Sequence, residues 1–135
     1  MKILVTGSSG FIGSHLTEYL VERGYGVVAF DRYNNNNHYG WLEKSKYKKK
    51  IEFILGDIRD YDSVNKAMKG CQSVMHLAAL IGIPYSYISP TAYIKTNVEG
   101  TLNILESAKN LKLKQVIITS TSEVYGTAIK KKLSE

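Results

Sequence analysis

Short runs of β-branched and aliphatic residues alternate along the chain with longer stretches whose apolar positions recur every three or four residues. Ile3-Leu4-Val5 is apolar at successive positions and stops at Gly7, which predicts a short strand buried on both faces. From Phe11 the period changes. Ile12, Leu16, Tyr19 and Leu20 fall at the spacing of one helix face, and Gly24 supplies the stop. Val27 to Phe30, closed by Asp31, predicts a second strand. Arg32 to Lys50 is a polar excursion in which Trp41 and Leu42 anchor a short helix. Ile51 to Leu55 predicts a third strand, stopped by Gly56. Asp60 then caps a short helix that carries Val64, Ala67 and Met68 and ends at Gly70. Ser73 to Leu77 predicts a fourth strand. Ser89 is placed as the N-cap of a helix with Pro90 at its first position, where the missing N–H costs nothing. The apolar face Ile94, Val98, Leu102 and Leu105 carries that helix to about Lys109, and Gln115 to Ser120 predicts a fifth strand.

Strands apolar on both faces and separated by helices require a parallel sheet covered on both sides. Right-handed crossovers turn this into an α/β, Rossmann-type, doubly wound sheet of order 3-2-1-4-5. That is five strands of a six-stranded pattern, so the expectation is a sheet truncated before its sixth strand.

Composition agrees with one folded domain: 135 residues, 44% hydrophobic and 22% charged. The net charge of +6 resides in two lysine clusters, Lys44 to Lys50 and Lys130 to Lys132, and the rest of the chain is slightly acidic. Such clusters read as solvated loops or ends, not as a nucleic-acid footprint with its interleaved base-reading residues. Cys71 is the only cysteine, so no internal disulfide can form. His15, His38 and His76 lack metal-ligand spacing, and no metal site is expected. The apolar run at the N-terminus is too short for a signal peptide, and Val74 to Ile83 is too short to span a membrane. A cytoplasmic chain with no membrane and no nucleic-acid partner is expected.

The candidate chemistry begins at Gly7-Ser8-Ser9-Gly10-Phe11-Ile12-Gly13, three glycines spaced G-x-x-G-x-x-G between the first strand and the first helix. Gly7 permits the tight turn, Gly10 lets backbone N–H groups approach a pyrophosphate, and Gly13 lets helix and sheet pack closely. The helix N-terminus then faces the anion with unsatisfied N–H groups. A Gly-rich turn elsewhere would mean little, and the strand–turn–helix position makes this a dinucleotide site. Asp31, 18 residues beyond Gly13, ends the second strand, where a carboxylate accepts ribose hydroxyls and repels a 2′-phosphate. That favours NAD over NADP, although Arg32 beside it could hold the extra phosphate. Asp57 after the third strand is either an acceptor for the adenine amino group or a turn residue before the Asp60 cap.

Several blocks together carry a resemblance. They are Thr6 to Leu16, Gly56-Asp57-Ile58-Arg59-Asp60, His76-Leu77-Ala78-Ala79, Thr96 to Asn103 and Ser120-Thr121-Ser122-Glu123-Val124-Tyr125-Gly126. In this order they resemble the N-terminal part of the extended short-chain dehydrogenases/reductases of the nucleotide-sugar epimerase/dehydratase family. Tyr39-Gly40-Trp41-Leu42 and the stretch from His76 to Tyr87 resemble more closely the NAD-dependent 4,6-dehydratases of legionaminic-acid-type pathways, which act on nucleotide-linked N-acetylglucosamine. The resemblance implies that residues 1–135 are the N-terminal part of an NAD-binding domain. Phe11, Ile12 and Ile58 join the glycines and carboxylates at the cofactor, and Leu77, Ala78 and Ala79 line it. His76, by its own chemistry, is a packed strand-end residue.

The same resemblance assigns catalytic positions to Thr121, Ser122 and Glu123 after the fifth strand. Thr121 would bond the sugar O4, and Glu123 would remove the C5 proton, for which burial must raise its pKa. Ser122 stands where some dehydratases carry Asp, whereas Thr-Ser-Glu resembles the GDP-mannose 4,6-dehydratases. The family's Tyr-x-x-x-Lys pair is missing: Tyr47 is followed at the fourth position by Ile51, Tyr93 by Asn97 and Tyr125 by Ile129. The expectation is a catalytically incomplete cofactor domain whose sugar-nucleotide domain is absent. The parent would act on a nucleotide-sugar as a homodimer. A C4 epimerase and a non-catalytic dinucleotide-binding module are the alternatives.

Overall fold

In a computed structural model, residues 1–126 are described. β1 (Lys2–Thr6), β2 (Gly26–Arg32), β3 (Ile51–Gly56), β4 (Ser73–His76) and β5 (Gln115–Ile118) form one all-parallel sheet of order β3-β2-β1-β4-β5. This is the expected order. The alternation of a strand explains the two cores. Leu4, Val28, Phe30 and Val74 point to one face, where α2 (Tyr61–Met68) and α5 (Gly100–Asn110) cover them with Val64, Met68, Ile104 and Ala108. Ile3, Val5, Val27 and Ala29 point to the other, under Leu20 and Val21 of α1 (Phe11–Glu22). Leu42 completes that second core from a 3₁₀ turn, Gly40–Lys44, inside the polar excursion; Trp41 in the same turn stays exposed.

The helix ends follow their expected chemistry in part. Gly24 and Gly70 adopt positive φ just past α1 and α2, and the Asp60 carboxylate accepts from the Asp62 N–H as the cap of α2. Ser89 does stand at the N-cap of α4 (Pro90–Tyr93), but its side chain makes no capping bond. α4 continues through a π-helical turn, Ile94–Glu99, into α5 without leaving helical backbone. A short α3 (Ile83–Ile88) precedes it, within a stretch whose pattern predicted no helix.

Two helix faces differ from expectation. The inward face of α1 is Gly13, Ser14, Thr17, Leu20 and Val21, while Ile12 and Tyr19 are exposed. The inward face of α5 is Gly100, Ile104, Ser107 and Ala108, and the apolar stripe Ile94, Val98, Leu102 and Leu105 faces outward. Close approach explains both. A Cβ on Gly13 would lie 2.1 Å from the Gly7 carbonyl oxygen, and one on Gly100 would lie 2.8 Å from Ile58 Cδ1. Helices this near the sheet and its turns turn small residues inward. No helix among the described residues is long and apolar enough to cross a membrane.

Candidate functional site

β1 and β4 are neighbours whose chains leave the sheet in opposite directions around it, so a crevice opens at their C-terminal ends. The Gly7–Gly13 turn forms its floor. Gly7 has φ +69°, and a Cβ there would lie 2.9 Å from the Ala78 nitrogen, so only glycine lets the turn pass the end of β4. A Cβ on Gly10 would meet only the Gly7 oxygen, at 3.3 Å, and would otherwise project into open space above the turn. No side chain caps α1 and no acidic residue occupies its first turn, so the N–H groups there remain available to an anion.

Two adjoining hollows meet over this turn and over Leu77 to Leu80. The first, about 470 Å³, is walled by Asp31, Arg32, Asp57, Ile58 and Arg59. The second, about 860 Å³, is walled by Phe11, Ile12, Gly13, Thr121 and Glu123, with Ser86, Tyr93 and Ser120. Gly7, Gly10, Leu77, Ala78 and Ala79 line both. All the residues expected at a cofactor thus fall on one continuous crevice. Of the three expected catalytic residues, Ser122 lies outside its wall. Thr121 accepts from the Glu123 N–H at 3.3 Å in a 3₁₀ turn, Ser122–Tyr125, and Glu123 is exposed instead of buried.

Asp31 reaches back from β2 to the turn. Its Oδ2 accepts from the Ser8 hydroxyl, from the Ser9 N–H at 2.9 Å and from the Ser9 hydroxyl at 2.7 Å. Burial pushes its carboxyl above the usual carboxylate range, and these donors oppose that. Asp57 is engaged within its own turn. Its carboxylate accepts the Arg59 N–H at 2.9 Å and a two-pronged contact from the Arg59 guanidinium, at 2.9 Å to Nε and 2.5 Å to Nη2. The guanidinium holds the Asp57 pKa down. Asp57 thus makes turn contacts and also lines the first hollow, which leaves both of its alternatives in place.

A second polar chain supports the wall from behind. His76 is buried, with Nδ1 2.6 Å from Thr6 Oγ1 and Nε2 3.1 Å from Thr101 Oγ1. Thr101 donates its only hydroxyl proton to the Asn97 carbonyl, so its oxygen accepts from His76 Nε2–H. Nδ1 is then the acceptor of the Thr6 hydroxyl, whose oxygen takes the N–H groups of Leu77 and Ala78, each at 3.2 Å. Asn97 also clamps Leu80, accepting its N–H and donating to its carbonyl, both at 2.8 Å. Burial lowers the His76 pKa to about 4, so the ring is neutral near pH 7. The motifs contained most of these residues but gave no role to Thr6, Asn97, Thr101, Ser8, Ser9, Arg59 or Tyr93, and to His76 only packing. An Asn97/Thr101 pair one helical turn apart was the signal available.

The fold and crevice define a dinucleotide-binding domain of the Rossmann type, with an anion cradle at the topological switch point. A family model described as GDP-mannose 4,6 dehydratase matches residues 4–135, and the chain belongs to that family, among the nucleotide-sugar epimerases and dehydratases its motifs resemble. The protein CapI of Staphylococcus aureus is 37% identical over 139 residues, covering 99% of this chain and 42% of CapI. The UDP-N-acetyl-alpha-D-glucosaminuronate decarboxylase of Bacillus cytotoxicus is 40% identical over 93% of this chain and 38% of its own length. The solved UDP-glucose 4-epimerase of Bifidobacterium longum, in complex with NAD+ and UDP, superposes with a TM-score of 0.85 at 29% identity, covering 100% of this chain and 41% of that one. The chain thus spans about two fifths of the length of such relatives.

Proposed function

We propose that this chain is the N-terminal part, residues 1–135, of the NAD-binding domain of a nucleotide-sugar 4,6-dehydratase. One observation carries the cofactor reading. The open cradle over Gly10, the uncapped N-terminus of α1 and the Asp31 carboxylate lie along one crevice, in the order that pyrophosphate and ribose require. These residues fit a dinucleotide. The first-turn N–H groups would hold its pyrophosphate, Asp31 its adenosine ribose, and Leu77 to Ala79 the wall against which it lies. When bound, the nicotinamide supplies the hydride acceptor and donor for the sugar.

The second hollow is the reaction side of the crevice. Thr121 is assigned to hold the sugar O4, and Glu123 to take the C5 proton as water leaves across C5 and C6. Ser122 is assigned a supporting place in the same turn. The Thr-Ser-Glu order and the family description support this reading. A C4 epimerase is the second reading, and the exposed Glu123 favours it, since epimerisation at C4 removes no C5 proton and needs no buried carboxylate for that step. None of the ten tyrosines is followed four residues on by lysine, so this chain's proposed share is binding, positioning and the Glu123 proton transfer, without the tyrosine–lysine pair. Homodimerisation of the parent is supported by the outward stripe Ile94, Val98, Leu102 and Leu105.

Titration of the protein with NAD, followed by calorimetry, should saturate at one site, and Gly10→Leu should abolish it; an unchanged affinity would remove the pyrophosphate role. Incubating the full-length parent with UDP- and GDP-sugars separates the two readings. A 4-keto-6-deoxy product supports the dehydratase, and a C4 epimer as sole product overturns it.

A further inference from the structure

The three donors on Asp31 all converge on one oxygen. Ser8 Oγ, Ser9 N–H and Ser9 Oγ bond Oδ2, and Oδ1 accepts from no described residue. Ser8 is fully buried, so its hydroxyl needs an internal acceptor, and Asp31 supplies it. Three donors exceed the two lone pairs of one carboxylate oxygen, so a further hydroxyl finds its place at Oδ1 of a residue that lines the first hollow. The carboxylate is thereby held against rotation. We propose that Ser8 and Ser9 are specificity-determining positioning residues: by occupying Oδ2 they present Asp31 Oδ1 to the adenosine ribose and set the preference for a free 2′-hydroxyl over a 2′-phosphate.

The argument rests on the reading of Asp31 as the ribose acceptor. The preference depends on charge as well as geometry. An ionised Asp31 repels a 2′-phosphate, whereas a protonated one does not, and burial already raises its pKa against the pull of the two serines. Arg32 on the same strand and the Asp57–Arg59 pair from the turn after β3 face the same hollow. They stay unchanged when the serines are altered, so a comparison of variants isolates the hydroxyls.

The experiment measures dissociation constants for NAD and NADP by calorimetry from pH 5 to pH 8, on the wild-type protein and on Ser8→Ala, Ser9→Ala and the double variant. The wild type should favour NAD. In the double variant the NADP-to-NAD ratio at pH 7 should fall by about ten-fold or more. The pH below which discrimination is lost should rise by about one unit. Ser9→Thr, which keeps the hydroxyl, should keep the ratio. Ser9 is only half-buried, so Ser9→Ala carries the readout if Ser8→Ala does not fold. A ratio and pH profile unchanged in folded variants overturn the proposal while leaving the nucleotide site intact. A wild type that binds both dinucleotides equally also overturns it. A wild type that binds neither overturns the nucleotide reading with it.

Discussion

The buried imidazole of His76 makes the domain acid-sensitive in a window set by one residue. In the folded chain Nε2–H donates to Thr101 and Nδ1 accepts from Thr6, whose oxygen already receives two backbone N–H groups. A proton on Nδ1 would place a donor against that hydroxyl, and burial lowers the ring's pKa from 6.5 to about 4. The sign follows from linkage. Below pH 6.5 the unfolded chain takes up a proton that the folded chain refuses, so stability falls as pH falls from 6.5 towards 4. The two pKa values give a loss of about 2 kcal/mol at pH 5 relative to pH 8, and about 3 kcal/mol at pH 4. For a domain with roughly 5–15 kcal/mol in hand, that is a large share. Asp31, with its raised pKa, acts in the opposite direction above the usual carboxylate pKa, so the wild-type slope alone would not identify its source. Urea denaturation of the wild type and His76→Asn at pH 8, 6 and 5 does. The variant should be less stable at pH 8, having lost packing and its bond to Thr101, yet its stability between pH 8 and pH 5 should vary by about 2 kcal/mol less. Equal pH slopes in the two proteins would refute the reasoning.

Two further outcomes test the packing. Gly13→Ala should lower the midpoint of thermal unfolding by at least about 5 °C, because the new Cβ would lie 2.1 Å from the Gly7 oxygen. Alanine's better helix propensity predicts a gain instead, so a raised midpoint would remove the close-approach argument. Ile104→Ala should cost about 2–5 kcal/mol in denaturant unfolding, while Leu102→Ala, on the outward stripe, should cost under about 0.5 kcal/mol. Equal costs at the two positions would show the helix faces wrongly assigned.

Much of the architecture was legible because it is written in short-range signals. Consecutive apolar residues such as Ile3-Leu4-Val5 demand burial on both faces, and that alone selects a parallel sheet between helical layers. The glycine turn was legible for the same reason, since a strand, a turn and a helix start lie within a dozen residues. The short α3 was missed, because six residues with Pro84 near the start carry too little periodicity to stand apart from the apolar run before them.

The sequence by itself determined where the strands and every helix but α3 lie, the sheet order that right-handed crossovers impose, and the crevice to which Gly7, Gly10, Gly13 and Asp31 belong. Only the tertiary structure decided which faces of α1 and α5 turn inward and which polar groups meet. Apolar spacing states that a face will be covered, not by what. The close approach of α1 and α5 turned Gly13, Thr17, Gly100 and Ser107 inward and left Ile94, Val98, Leu102 and Leu105 outside. The bonds that shape the site join residues far apart in the chain, Asp31 to Ser8 and Ser9, and Thr6 through His76 to Thr101. Such pairs leave no periodic trace, because a buried donor is satisfied by whichever acceptor the fold brings to it.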